Sequence, residues 1–283
     1  MLRRAGVTLV ELVVALALGG IVLTVAAGSL LRQQRAGRWI DGLSGAELQA
    51  RAALRLVADE LEPLESGAGD LAAGQASDST LELRALVAAS LTCDSSAAVT
   101  LVPGVDTSAV PGGIARAPVV GDSVWLYRDS LGWRGHPVTS VTRANTGCGV
   151  PTSSAGPTFT LALDVPAGVP AATPVRVTRR ERWVVYRATD GRWHFGVRDW
   201  SASTSRFLAA QPVAGPFVRR TPDGQRTGFR YFDASDAELV PDGTNERSIA
   251  RVRFTTLSAV PSTAGDGVRR DSADAVLSRR GAY

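Results

Sequence analysis

Residues 7–31 read VTLVELVVALALGGIVLTVAAGSLL, and Glu11 is the only charge in the run. As a helix, about 25 apolar residues are long enough to cross a hydrocarbon core of ~30 Å. Arg3 and Arg4 stand just before the run. Basic residues on that side keep the N-terminus in the cytoplasm and send the following chain outward. A carboxylate inside such a helix costs a few kcal/mol to insert and marks a functional position by default. An ordinary secretory signal, with Val25-Ala26-Ala27 as its small-residue cleavage site, has no use for that acid. A plain membrane anchor has none either. Glu11 favours a third reading, an anchor whose acid takes part in assembly.

Gly6 followed by Val7-Thr8-Leu9-Val10-Glu11-Leu12 resembles the start of type IV pilins and type II secretion pseudopilins. In that family a membrane peptidase cuts after the glycine and methylates the new N-terminal amine. The resemblance implies cleavage between Gly6 and Val7, N-methylation of Val7, and Glu11 as the fifth residue of the mature chain. Val7 departs from the phenylalanine or methionine more usual there, while the glycine, the spacing and the acid all agree. The resemblance also implies that Glu11 of one subunit meets the Val7 amine of its neighbour and sets the axial register of a hydrophobic bundle. Single polar groups do fix register in apolar seams. The partners implied are the prepilin peptidase, other pilin or pseudopilin subunits, and an assembly platform in the cytoplasmic membrane. The chain is then a single-pass protein of that membrane with its N-terminus inside and its head exported, and later part of a pilus or pseudopilus.

The helical pattern continues past the membrane. Ile40, Leu43, Ala50, Leu54, Val57, Leu61 and Leu64 recur at helical spacing, with Glu47 the one polar break, and Pro63 ends the run. Beyond it, short runs alternate with period two. They are residues 80–86, 98–102, 123–128, 158–163, 175–178, 182–188, 193–197, 228–232 and 249–257. Gly/Pro/Ser/Thr loops separate them and no βαβ rhythm appears, so the expected class is α+β, a long helix packed on an antiparallel head. The divisions are a leader over 1–6, a transmembrane half-helix over 7–31 and an amphipathic half over 32–62. A β-rich head over 63–261 and a polar, mobile tail over 262–283 follow. The stretch 181–260 resembles, more softly, large minor pilins of the PilW type and pseudopilin J.

All 31 basic residues are arginines, and the net charge is only +4. The arginine pairs 179–180, 219–220, 269–270 and 279–280 are scattered, which reads as solvated surface and argues against a nucleic-acid partner. Cys93 and Cys148 are too few for a disulfide scaffold or a cysteine zinc site. In an exported chain their simplest use is one bridge, closing roughly 55 residues for about 4 kcal/mol; two unrelated buried thiols are the alternative. His136 and His194 have no spaced partners, and no catalytic motif is found, so neither an enzyme nor a cofactor is expected. Asp233, Asp236 and Asp242, with Asn245 and Glu246, are weak calcium candidates whose spacing fails the EF-hand pattern and suits turns. Trp125, Tyr127, Trp133, Trp183, Trp193 and Trp200 fall in expected strands or turns, where core packing is the commoner use.

Overall fold

The computed structural model describes residues 9–64, 70–72, 74–92, 98–101, 113–114, 116–128, 132–144, 158–163, 169–170, 172–262 and 265–277. Helix α1 runs without interruption over Leu9–Leu61, a rod of about 80 Å at 1.5 Å per residue. Ten strands form the larger sheet: β1 (Thr80–Leu91), β2 (Ala98–Leu101), β3 (Gly113–Ile114), β4 (Ser123–Arg128), β5 (Gly132–Ala144), β6 (Thr158–Leu163), β7 (Pro174–Arg187), β8 (Trp193–Ser201), β9 (Arg206–Phe207) and β10 (Gln211–Phe217). Four more make a second sheet: β11 (Gly228–Phe232), β12 (Glu238–Leu239), β13 (Arg251–Ser262) and β14 (Gly265–Val276), in the order β12-β11-β13-β14. The recorded pairings are antiparallel, as the α+β reading expects.

Strand β7 is the spine of the head. One edge pairs with β1 from Leu91↔Pro174 to Thr80↔Val184. The other pairs with β4 in its first half and β8 in its second. Period two sends Val175, Val177, Trp183 and Val185 to one face, and all four are buried. The first two join a core cluster with Val124, Leu126, Phe159 and Leu161. The second two join the larger cluster, in which Ala53, Val57 and Leu61 of α1 meet Phe195, Phe229 and Phe254 from both sheets. The phenylalanine rings stack with centroids 4.7 and 4.8 Å apart.

Between the two clusters β7 places Arg179 and Glu181 on that same buried face. Arg179 grips Asp122 through two bonds, 2.8 and 3.0 Å long. Arg116 reaches both Glu181 and, on α1, Glu60. Burial holds the Glu181 carboxyl above the usual carboxylate range, and the attraction of Arg116 returns only part of the cost. The Arg116 charge also suffers from burial, but two carboxylates outweigh that and strengthen it. On the opposite face Arg180 and Arg182 hold Glu82, which is fully buried.

This explains why residues 175–178 and 182–188 are one strand and not two. The charges that interrupt the apolar pattern are paired within the fold rather than exposed in a loop. Three further expectations are corrected. Residues 265–276 of the expected mobile tail form β14, paired with β13 along its whole length. Strand β5 was not expected, because its Arg134, His136, Pro137 and Arg143 hide the alternation. Of the listed aromatics only Trp183 is fully buried. Trp125 and Trp200 lie beneath the guanidinium groups of Arg84 and Arg180.

Candidate functional site

The first buried residue of α1 is Ala50. From there Ala53, Val57 and Leu61 follow at steps of three and four and face the head, with Leu64 just beyond the helix. Up to Leu31 the helix is apolar on its outer surface, with Glu11 the one charge. Leu9, Val10, Leu12, Val13, Val14, Leu16, Leu18, Val22, Leu23 and Val25 are all exposed, as are Leu30, Leu31, Trp39 and Ile40. A window of this helix has mean hydropathy 2.5 and none of it is covered by the rest of the chain. It is long and apolar enough to cross a membrane. The expected amphipathic stripe is therefore only partly used within the chain. Ile40 stays exposed and Leu43 half-buried, while the positions from Ala50 onward pack.

Glu11 sits in the first turn of the helix, on its exposed surface. Beyond the helix's own backbone, Gly19, Gly20 and Gly28 have no described atom within 4 Å of where a Cβ would stand, so the helix is open to a close neighbour at each of these positions. The hydroxyl of Thr24 donates to the Gly20 carbonyl at 2.7 Å, which satisfies it inside the apolar segment. Gly6 and Val7, the expected cleavage pair, lie outside the described residues. So do Cys93 and Cys148.

Where the covered part of the helix begins, two polar contacts fix it to the head. Glu47 accepts from Arg269 of β14 at 3.2 Å, and Gln49 accepts from the Gly215 backbone at 3.1 Å. The polar break in the helical stripe is thus a contact point for the last strand, a role that no local pattern could reveal.

Residues 1–27 match the family model of the prokaryotic N-terminal methylation motif. That motif, together with the uncovered apolar helix, supports a type IV pilin-like or pseudopilin subunit anchored in a membrane and processed by a prepilin peptidase. No curated protein and no solved structure matches the chain. The motif ends well short of the head, whose chemistry is read from its own geometry.

The calcium candidates are spent on local structure. Asp233 Oδ1 accepts from the backbone of Ser235 and Ala237 at 2.8 and 3.0 Å. Asp242 Oδ1 accepts from the backbone of Thr244 and Asn245, at 2.8 and 3.1 Å. Those bonds hold the Asp242 carboxyl below its ordinary range. Asp236 pairs with Arg251. Among the described residues no group of three His, Cys, Asp or Glu side chains converges as a metal site. His136 lies in β5 and His194 in β8, where the His194 ring is 3.4 Å from Asp190.

Proposed function

We propose that the chain is a minor structural subunit of a type IV pilus, with a head of PilW type, made as a prepilin and assembled through α1. The observation that carries this reading is the apolar run of α1 from Leu9 to Leu31, which the head leaves uncovered, joined to the methylation motif at its start. A helix that is apolar all round needs a surrounding of its own kind, first lipid and then neighbouring helices. In this reading the peptidase cuts between Gly6 and Val7 and methylates the Val7 amine. Glu11 then meets that amine on the adjacent subunit, and the head, linked by a Cys93–Cys148 bridge, faces outward. The minor pseudopilin of a type II secretion system uses the same steps in another machine.

The first test is the mass of the mature N-terminus from membranes, with and without Gly6→Ala. A chain starting at N-methylated Val7, lost in the variant, is expected. A start at Gly28 would mean an ordinary secreted protein and would end the proposal. The second test is Glu11→Val, which is expected to leave the head folded and abolish incorporation into fibres. Unchanged incorporation would remove Glu11 from assembly, and absence of the parent chain itself from fibres would favour a membrane-anchored binding protein instead.

A further inference from the structure

The turn joining β10 to β11 folds over the outer face of the smaller sheet and closes a recess of about 380 Å³. Four arginines line it: Arg220 and Arg226 from the turn, Arg230 from β11 and Arg270 from β14. They are far apart in sequence, and the sheet register assembles them. Gly228 pairs with Thr255, and Leu257 with Arg270, so β11, β13 and β14 bring their outward residues together. The turn is pinned above them by backbone bonds from Val218 to Leu257 at 2.7 Å and by Leu257 to the Thr227 hydroxyl at 3.0 Å. Gly228, at the start of β11, lets the segment before β1 pass close beside this turn. A Cβ there would stand 2.0 Å from the Asp78 carbonyl, on a backbone with φ of 152°.

Charge in the recess is not balanced by the fold. Arg226 shares Asp78 with Arg219, at 3.3 and 3.0 Å, and Arg230 pairs with Glu238 at 3.1 Å. Asp223 also lines the recess. Arg220 and Arg270 have no ion-pair partner among the described residues. Five guanidiniums against three carboxylates leave two positive charges in a concave site, where like charges repel more strongly than on open surface. Guanidinium forks match tetrahedral oxyanions through paired bonds. A phosphate monoester carries about −1.5 to −2 near neutral pH, which answers the surplus. The volume falls at the small end of ligand pockets, which suits a compact molecule.

We propose that this recess binds a small soluble ligand bearing a phosphate monoester or pyrophosphate group, held by Arg220 and Arg270. The inference does not depend on the assembly reading. The test is calorimetric titration of the full chain, in neutral detergent at low salt, with inorganic pyrophosphate and with oxalate as a carboxylate control. Saturable one-to-one pyrophosphate binding is expected, weakened at least about tenfold in Arg220→Gln and in Arg270→Gln. Both side chains are exposed, so the fold should persist, and unchanged melting curves confirm it. Arg206→Gln, an exposed arginine elsewhere on the head, should bind as the parent does. Absence of saturable binding, equal weakening in all three variants, or oxalate binding as tightly as pyrophosphate would each overturn the proposal.

Discussion

The two ends of α1 are built from the same residue types and the same geometry, yet they are used in opposite ways. Up to Leu31 the described apolar side chains point away from the rest of the chain, whereas Ala53, Val57 and Leu61 are fully enclosed. What separates them is the width of the apolar surface. The first part is apolar on all sides, and the second confines its apolar residues to one stripe between charges such as Arg51, Arg55 and Asp59. An all-round apolar surface cannot be satisfied by one flank of one head, so it is left for lipid or for other helices. The stripe is narrow enough for two sheets to cover.

The sharpest way to break this comparison is to truncate one leucine in each half. Leu61→Ala removes a fully buried side chain from the larger core and should destabilise the head by about 2–5 kcal/mol in denaturant unfolding. Leu16→Ala should leave head unfolding unchanged, and a comparable loss there would mean that the two halves are not independent. Arg116→Gln tests the link between the covered half and β7, with a smaller effect. A carboxyl raised by burial favours folding below its unfolded value near 4.5, and that gain is lost as pH rises through the folded value. Without Arg116 the ionised Glu181 is less compensated. The variant's deficit should therefore be larger at pH 7 than at pH 4, by about 1–2 kcal/mol, less than for a fully buried pair because Arg116 is partly open to water. Equal deficits at both pH values would place the contribution of Arg116 outside this pair. Smallest of all, Arg269→Gln cuts the contact to Glu47 at the boundary and should lower the unfolding midpoint only slightly, an effect that fades at high salt. An effect that survives salt would point to packing by the arginine stem.

What was legible in the sequence was local. The apolar run, the acid Glu11 within it and the helical stripe lie within one continuous segment, so periodicity suffices to read them. Strands such as Ser123–Arg128, Thr158–Leu163 and Gly228–Phe232 stand out because each is short and bounded by turn residues. Strand β14 was hidden because GDGVRRDSADAV buries little more than Ala275, a residue too small to mark a face. The Arg recess was hidden for a different reason. Period two splits the last described arginine pair between faces, so Arg269 turns to the helix while Arg270 turns to the recess. A pair that looks like one solvated patch in sequence becomes two unrelated contacts in the fold.

The pairing of Arg269 with Glu47 also orders events during synthesis. The helix face from Ala53 to Leu61 is made early, but β13 and β14, which help to cover it, are made after every other described strand. Loop closure over some two hundred residues comes before that cover can form. A chain stopped anywhere before Arg251 would therefore leave part of that apolar helix face uncovered, the kind of surface that chaperones and proteases recognise. Completion of the β13–β14 hairpin thus doubles as the step that closes the core over the helix.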